Sequence, residues 1–195
     1  MLFRSVRMAR PKNEELKSRI VAVVERQFMA QGYHATSYRT VAEECGISRP
    51  LVQYHFPKKE QLAEAFMANL LEKCMAELGL GEADLRGDFA AVKAVGVRYF
   101  EKLVAKEGSR RFLQDVLENR DMTEDILAFN LGWALEHVGA DAAKTADPRV
   151  QRSIVLHMGG FYELLYWSLK HGEPLDIEGE LGLVVDSFER ALAQG

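Results

Sequence analysis

Apolar residues recur at helical spacing almost from one end of the chain to the other. Leu16, Ile20, Val23, Val24 and Phe28 fall on one face and predict an amphipathic helix. Asn13 is placed to cap its start, Glu14 and Glu15 suit its positive end, and Gly32 is placed to stop it. Ser37 is expected to cap a short helix through Glu44, which Gly46 stops. Ser48 is expected to cap the next, with Pro50 tolerated in its first turn and Phe56-Pro57 breaking it. A long helix is predicted from Lys58 to Leu78, ending at Gly79-Leu80-Gly81. Further helices are predicted over 88–107, 109–120, 123–139, 148–171 and 176–193. Gly108, the Asp121–Thr123 step, Asp141–Pro148 and Gly172–Pro174 are the expected separators. Strand-like alternation between hairpin turns does not occur. The pattern predicts an all-α fold of about nine helices: a three-helix head in residues 1–60 and a helical body in 61–195, joined without a flexible linker.

The chemistry concentrates in Ser37 to Leu62, SYRTVAEECGISRPLVQYHFPKKEQL. Two short helices joined by a tight turn need a small residue where they touch, a glycine at the turn and apolar residues to lock the pair. Ala42, Gly46, and Val41, Ile47 and Val52 stand at those offsets, the spacing of a DNA-reading helix-turn-helix. The second helix would then present Arg49, Gln53, Tyr54 and His55 outward, groups able to read base edges or hold phosphates. Lys58 and Lys59 open the following helix, where the macrodipole disfavours cations. They are explained if a phosphate occupies that end.

Charge sharpens this division. Residues 1–60 carry 11 Lys/Arg against 6 Asp/Glu, whereas the remainder carries 14 against 23. A basic head on an acidic body is expected to bring the head alone to a polyanion. Hydrophobic content of 48% suffices for a core. No apolar run is long enough for a membrane span. Arg4, Arg7, Arg10 and Lys12 precede no apolar signal region, and Met8 is a credible start beside Met1. Cys45 and Cys74 do not form a CxxC pair, which fits a reducing cytoplasm. The histidines form no HxxxH or HExxH pair, so neither a metal site nor a cofactor is expected. Signatures of an enzyme, such as GxSxG or a phosphate loop, are missing.

The string from Gly32-Tyr33 through Thr36-Ser37, Val41-Ala42, Gly46-Ile47-Ser48 and His55-Phe56 to Lys59-Glu60 and Leu62 resembles the tetracycline-repressor-like (TetR) family of bacterial regulators. The resemblance covers about the first third of the chain. It implies an N-terminal DNA head, a C-terminal ligand domain and a homodimer bound to a pseudo-palindromic operator of double-stranded DNA. Thr36, Ser37, Arg39 and Lys59 then join the candidate DNA contacts. Pro50, Gln53 and Lys58 depart from the family's usual residues, which favours phosphate contacts by Arg39 and Lys59 over a transferred base-reading pattern.

The body offers two further expectations. Phe66, Met67, Leu70, Phe100, Phe112, Phe129, Trp133, Tyr162 and Tyr166 suit an ordinary core, or the lining for an unknown small apolar or aromatic effector. His137 and His157 would be its polar contacts, and each is equally a helix histidine with a local partner. The predicted helix over 148–171 has two apolar stripes, Ile154, Met158, Phe161, Leu165 and Val155, Tyr162, Tyr166, Leu169. The last helix repeats Ile177, Leu181, Val184 and Phe188. These seams are expected either to form a four-helix dimer interface or to close the core of one chain. The function expected is a ligand-released repressor; a regulator of the same fold gated by a protein partner, or ungated, is the alternative.

Overall fold

The computed structural model describes residues 11–137 and 147–194. Arg4, Arg7, Met8 and Arg10 lie outside them, as do the last residues of the helix predicted to reach 139, and the side chains of Lys12 and Ile154 are not described. Among the described residues there are ten helices and no strand: α1 (Pro11–Ala35), α2 (Tyr38–Cys45), α3 (Arg49–His55), α4 (Lys59–Glu77), α5 (Glu82–Leu85), α6 (Phe89–Ala105), α7 (Glu107–Leu117), α8 (Arg120–His137), α9 (Pro148–His171) and α10 (Ile177–Gln194).

Local chemistry accounts for most boundaries. At the start of α2 the Ser37 hydroxyl accepts from Thr40 N at 3.2 Å, and the Thr40 hydroxyl accepts from Ser37 N at 3.1 Å. Gly46 ends α2 in the left-handed conformation, φ 62°. Asp88 caps α6 by accepting from Ala91 N at 3.0 Å, and Asp147 caps α9 by accepting from Arg149 N at 2.7 Å. Gly32 interrupts α1 at φ 85°, ψ −179°, a region essentially closed to residues with a Cβ.

Three expectations fail locally. Asn13 is not a cap, because the chain is already helical at Pro11. Gly108 is not a separator: it lies inside α7, where a Cβ would stand 2.3 Å from Met29 O. The glycine is there for contact between two backbones, not for a break. Thr123 lies inside α8, which begins at Arg120; the break falls before it. The single turn α5 went unpredicted, since four residues show no period; it puts Leu85 into the core.

In the head, α2 and α3 fold against each other and α2 packs on α1, whose most extensive neighbour is α7 of the body. Helix α4 bridges α1 and α6, while α6, α9 and α10 pack together. One buried apolar cluster runs from Ile20, Val41 and Val52 in the head to Phe112, Phe161 and Leu165 in the body. Two contacts tie the parts further. His34 N donates to Asp115 Oδ2 at 3.0 Å, and Lys73 Nζ lies 2.6 Å from Glu25.

Candidate nucleic-acid interface and ligand cavity

Helices α2 and α3 turn Val41, Ala42, Cys45 and Val52 inward. The turn at Gly46 sends Ile47 N to Ala42 O at 3.0 Å and Gly46 N to Glu43 O at 3.1 Å. The outer face of α3 is left with Arg49 exposed, Gln53 and His55 half-buried, and Tyr54 76% exposed. The Tyr54 and His55 rings meet edge to face, centroids 5.3 Å apart. On α2, Arg39 is exposed beside Glu43 at 3.8 Å, a solvated pair that leaves the guanidinium available.

This pair of helices is fixed to α1 by side chains that sequence reading passed over. Tyr38 Oη donates to Phe56 O at 2.8 Å, joining the start of α2 to the end of α3. Thr40 Oγ1 donates to Gln27 Oε1 at 2.8 Å, and Gln27 Nε2 donates to Glu44 Oε2 at 2.7 Å. Arg26 forks onto Glu44 Oε1 at 2.7 and 3.0 Å, and Arg19 donates to Cys45 O at 2.9 Å. The hydrogen bonds from Gln27 and Arg26 hold the Glu44 carboxyl below its ordinary pKa. Burial pushes the Cys45 thiol up, so it is a packed thiol rather than a reactive one.

Three residues expected at the DNA are occupied otherwise. Thr36 is fully buried, its hydroxyl donating to Gly32 O at 3.0 Å, so it stabilises the break in α1. Ser37 serves as the α2 cap. Lys59 Nζ donates to Tyr33 O at 2.7 Å and stands 4.1 Å from the centre of the Tyr33 ring. Burial lowers the Lys59 pKa, with Asp115 and Glu60 opposing it. The ammonium thus closes the end of α1, whereas Lys58, at the cap position of α4, is the exposed one.

The expected effector-lining residues separate into several places. Phe66 and Phe112 pack with Phe28, centroids 4.9 to 5.6 Å apart, in an aromatic joint between α1, α4 and α7. Met67 and Leu70 are buried core of α4. Phe100 and Trp133 do line a cavity of about 80 Å³. Its walls come from α4 (Leu71), α6 (Phe89, Val92, Lys93, Gly96, Tyr99), α8 (Asn130, Ala134, Leu135), α9 (Met158) and α10 (Leu181, Val184, Val185, Phe188). Tyr162 stands behind Asn130 and accepts from its Nδ2 at 2.5 Å. Phe129 and His137 line an adjoining groove that shares Trp133, with His137 Nδ1 2.8 Å from Trp133 O. His157 Nδ1 lies 2.7 Å from Ser153 O in a separate polar groove, and Tyr166 is half-buried beside Lys170. Tyr99 and Asn130 had no local signal; their place depends on which helices face α6.

The expected dimer seam is internal. Phe161 is 2% exposed and packs on Phe100 at 4.8 Å between ring centres. Leu165, Ile177, Leu181, Val184 and Phe188 are likewise buried within one chain, the last three of α10 reaching the cavity wall. The outward apolar side of α9 is instead Val155, Leu156, Leu164 and Trp167, with Leu156 70% and Trp167 49% exposed. Gly159 and Gly160 lie between them, and Leu183 of α10 is exposed too. Neither stripe read from the sequence matches this face as a set.

No helix among the described residues is long and apolar enough to cross a membrane. Residues 20–66, which hold α2, α3 and their supports, match the family model described as bacterial regulatory proteins, tetR family. The chain is 24% identical over 123 residues to the probable HTH-type transcriptional regulator ArpR of Pseudomonas putida, covering 62% of this chain and 58% of that protein. It is 29% identical over 128 residues to the HTH-type transcriptional regulator RutR of Escherichia coli strain K12, covering 64% and 58%. The match thus spans less than two thirds of these relatives' length. A TetR transcriptional regulator from Rhodococcus sp. RHA1 shares the fold, with a TM-score of 0.61 at 14% identity over 95% of this chain and 99% of that one. Over residues 20–66 the chain is thus similar to the tetR family of bacterial regulatory proteins, and its curated relatives are helix-turn-helix transcriptional regulators.

Proposed function

We propose that the chain is a dimeric, DNA-binding transcriptional regulator whose hold on its operator is set by a small, largely apolar ligand in the body. The observation that carries the DNA reading is the outward face of α3. It holds Arg49, Gln53 and a Tyr54 three-quarters exposed, on a helix whose other side packs against α2, which is in turn fixed to α1. An exposed aromatic held on a short rigid helix is placed to meet a base edge or a thymine methyl group without further ordering. Arg39 and Lys58 flank this face and suit phosphates. The relatives named above are helix-turn-helix transcriptional regulators, which supports the same reading.

Two copies are needed to read two half-sites. The apolar side of α9, with Leu183 of α10, fits a second copy of this chain. An apolar face of this kind can meet its own copy about a two-fold axis, and the open space at Gly159 and Gly160 would let two helices approach closely. Ligand control would run through α4, which starts beside the head at Lys59 and reaches the cavity at Leu71. The α1–α7 joint would carry a ligand-set shift of the body into α1 and so into the reading helices.

The test is selection of bound sequences from random duplex DNA, followed by a salt titration on the selected site. The expected result is a pseudo-palindrome, with affinity falling steeply as salt rises. Binding without sequence preference, or none at low salt, overturns the reading.

A further inference from the structure

We propose that the cavity walled by α6, α8 and α10 receives a small uncharged molecule with an apolar frame and one acceptor oxygen, which takes a hydrogen bond from the Tyr99 hydroxyl. The inference rests on reading the body as ligand-responsive, and it adds the ligand's chemical class. Tyr99 is 1% exposed, and its Oη has no hydrogen-bond partner among the described residues. A buried hydroxyl without a protein partner is costly, and such a group in a native structure calls for an occupant that bonds it, whether a water, an ion or a ligand. Asn130 is the polar neighbour of both buried phenols; its Nδ2 donates to Tyr162 at 2.5 Å, and it stands near Tyr99 without making a hydrogen bond of normal geometry to that hydroxyl. Burial pushes the Tyr99 pKa well up, so the phenol stays protonated and remains a donor.

An internal water needs two to four polar partners. Beside Tyr99 the lining offers Asn130, whose amide already serves Tyr162, while Phe100, Val92, Leu71 and Met158 are apolar, so a water would be held at the low end of that range and an apolar frame would fill the rest. An anion is disfavoured by distance. Lys93, the cation of the wall, precedes Tyr99 by six residues on α6, about 9 Å along the axis at the helical rise per residue. A molecule sized for about 80 Å³ that reaches Tyr99 leaves its charge away from that ammonium. The volume is below the roughly 150 Å³ of a cavity that takes benzene, which points to a five-membered ring or a short branched chain.

The test uses the full chain and three probes of one shape: cyclopentanone, methylcyclopentane and cyclopentanecarboxylate. Binding is followed by NMR titration, and melting temperature by calorimetry. The ketone is expected to bind best, and Tyr99→Phe to weaken it about tenfold while leaving the hydrocarbon unchanged. Because the hydroxyl lacks a partner in the free protein, Tyr99→Phe is expected to keep or raise the melting temperature. Equal ketone affinity in Tyr99→Phe, preference for the carboxylate with loss in Lys93→Met, absence of binding by all three probes, or a fall of several degrees in Tyr99→Phe each overturn the inference. Operator affinity is measured in the same samples. Ketone binding through Tyr99 that leaves operator affinity unchanged upholds this inference and sinks the gating reading alone.

Discussion

At the residue scale, Lys58 and Lys59 show how adjacent identical side chains take different work. Lys59 is held by the Tyr33 carbonyl and ring, whereas Lys58 is exposed at the start of α4. Lys58→Ala is expected to lower the slope of DNA affinity against salt by about one unit and leave melting unchanged. Lys59→Ala should instead lower the melting temperature, because Tyr33 loses the ammonium bonded to its carbonyl and held against its ring, and keeps only the weaker bond from Thr36 N. Arg49→Ala and Tyr54→Ala remove exposed groups, so melting should hold while discrimination between the selected site and single-base variants falls by about 1–3 kcal/mol for each lost base contact. Glu44 adds a pH effect. Its pKa is depressed in the folded chain, so its stabilisation is present above the unfolded value of about 4.3 and is lost as pH falls through the folded one. Glu44→Gln is expected to flatten the acid limb of melting temperature against pH; an unaltered limb would show that Gln27 and Arg26 contribute nothing there.

At the element scale, the contact of α1 with α7 sets how the head sits on the body. Gly108→Ala weighs two effects against each other. An alanine inside a helix is favoured over glycine by about 1 kcal/mol. Here its Cβ would meet Met29 O at 2.3 Å and Met29 C at 2.6 Å, main-chain atoms that cannot swing aside. Overpacking of this kind typically costs about 1–3 kcal/mol, so the clash wins. The variant is expected to melt several degrees lower and, because the joint aims the head, to bind its operator more weakly at temperatures where it is fully folded. An unchanged melting temperature would mean that α1 and α7 slide apart without cost. Gly32→Ala tests the other side of the joint, since its backbone region excludes a Cβ whatever the space around it.

At the scale of the whole molecule, two substitutions on α9 separate core from interface. Phe161→Arg puts a charge against Phe100 inside one chain and is expected to unfold it, not merely to dissociate it. Leu156→Glu places a charge on the outward face, where the single chain does not need the leucine. Sedimentation should show the native chain as a dimer and Leu156→Glu as a folded monomer with weakened operator binding. A Leu156→Glu chain that stays dimeric would move the partner to another surface, and a monomeric native chain would remove the interface altogether.

The sequence alone determined the helical elements of the head, their caps at Ser37 and Gly46, and the apolar lock of α2 on α3. Each of these depends on residues within a few positions of one another, and the rules of capping and of 3.6-residue periodicity are local. Only the tertiary structure decided that Phe161 faces inward and Leu156 outward, because a helix apolar on two sides satisfies the period with either side buried. It also decided that Thr36 and Lys59 support the chain rather than face the solvent, that Gly108 is a contact point, and that Tyr99 is left with an unbonded hydroxyl beside a cavity. Apart from Thr36, which bonds Gly32 four residues before it, the deciding neighbour lies on another helix, Gly108 against Met29 or Tyr99 across from Asn130, and which helices meet is set by the packing of the whole core.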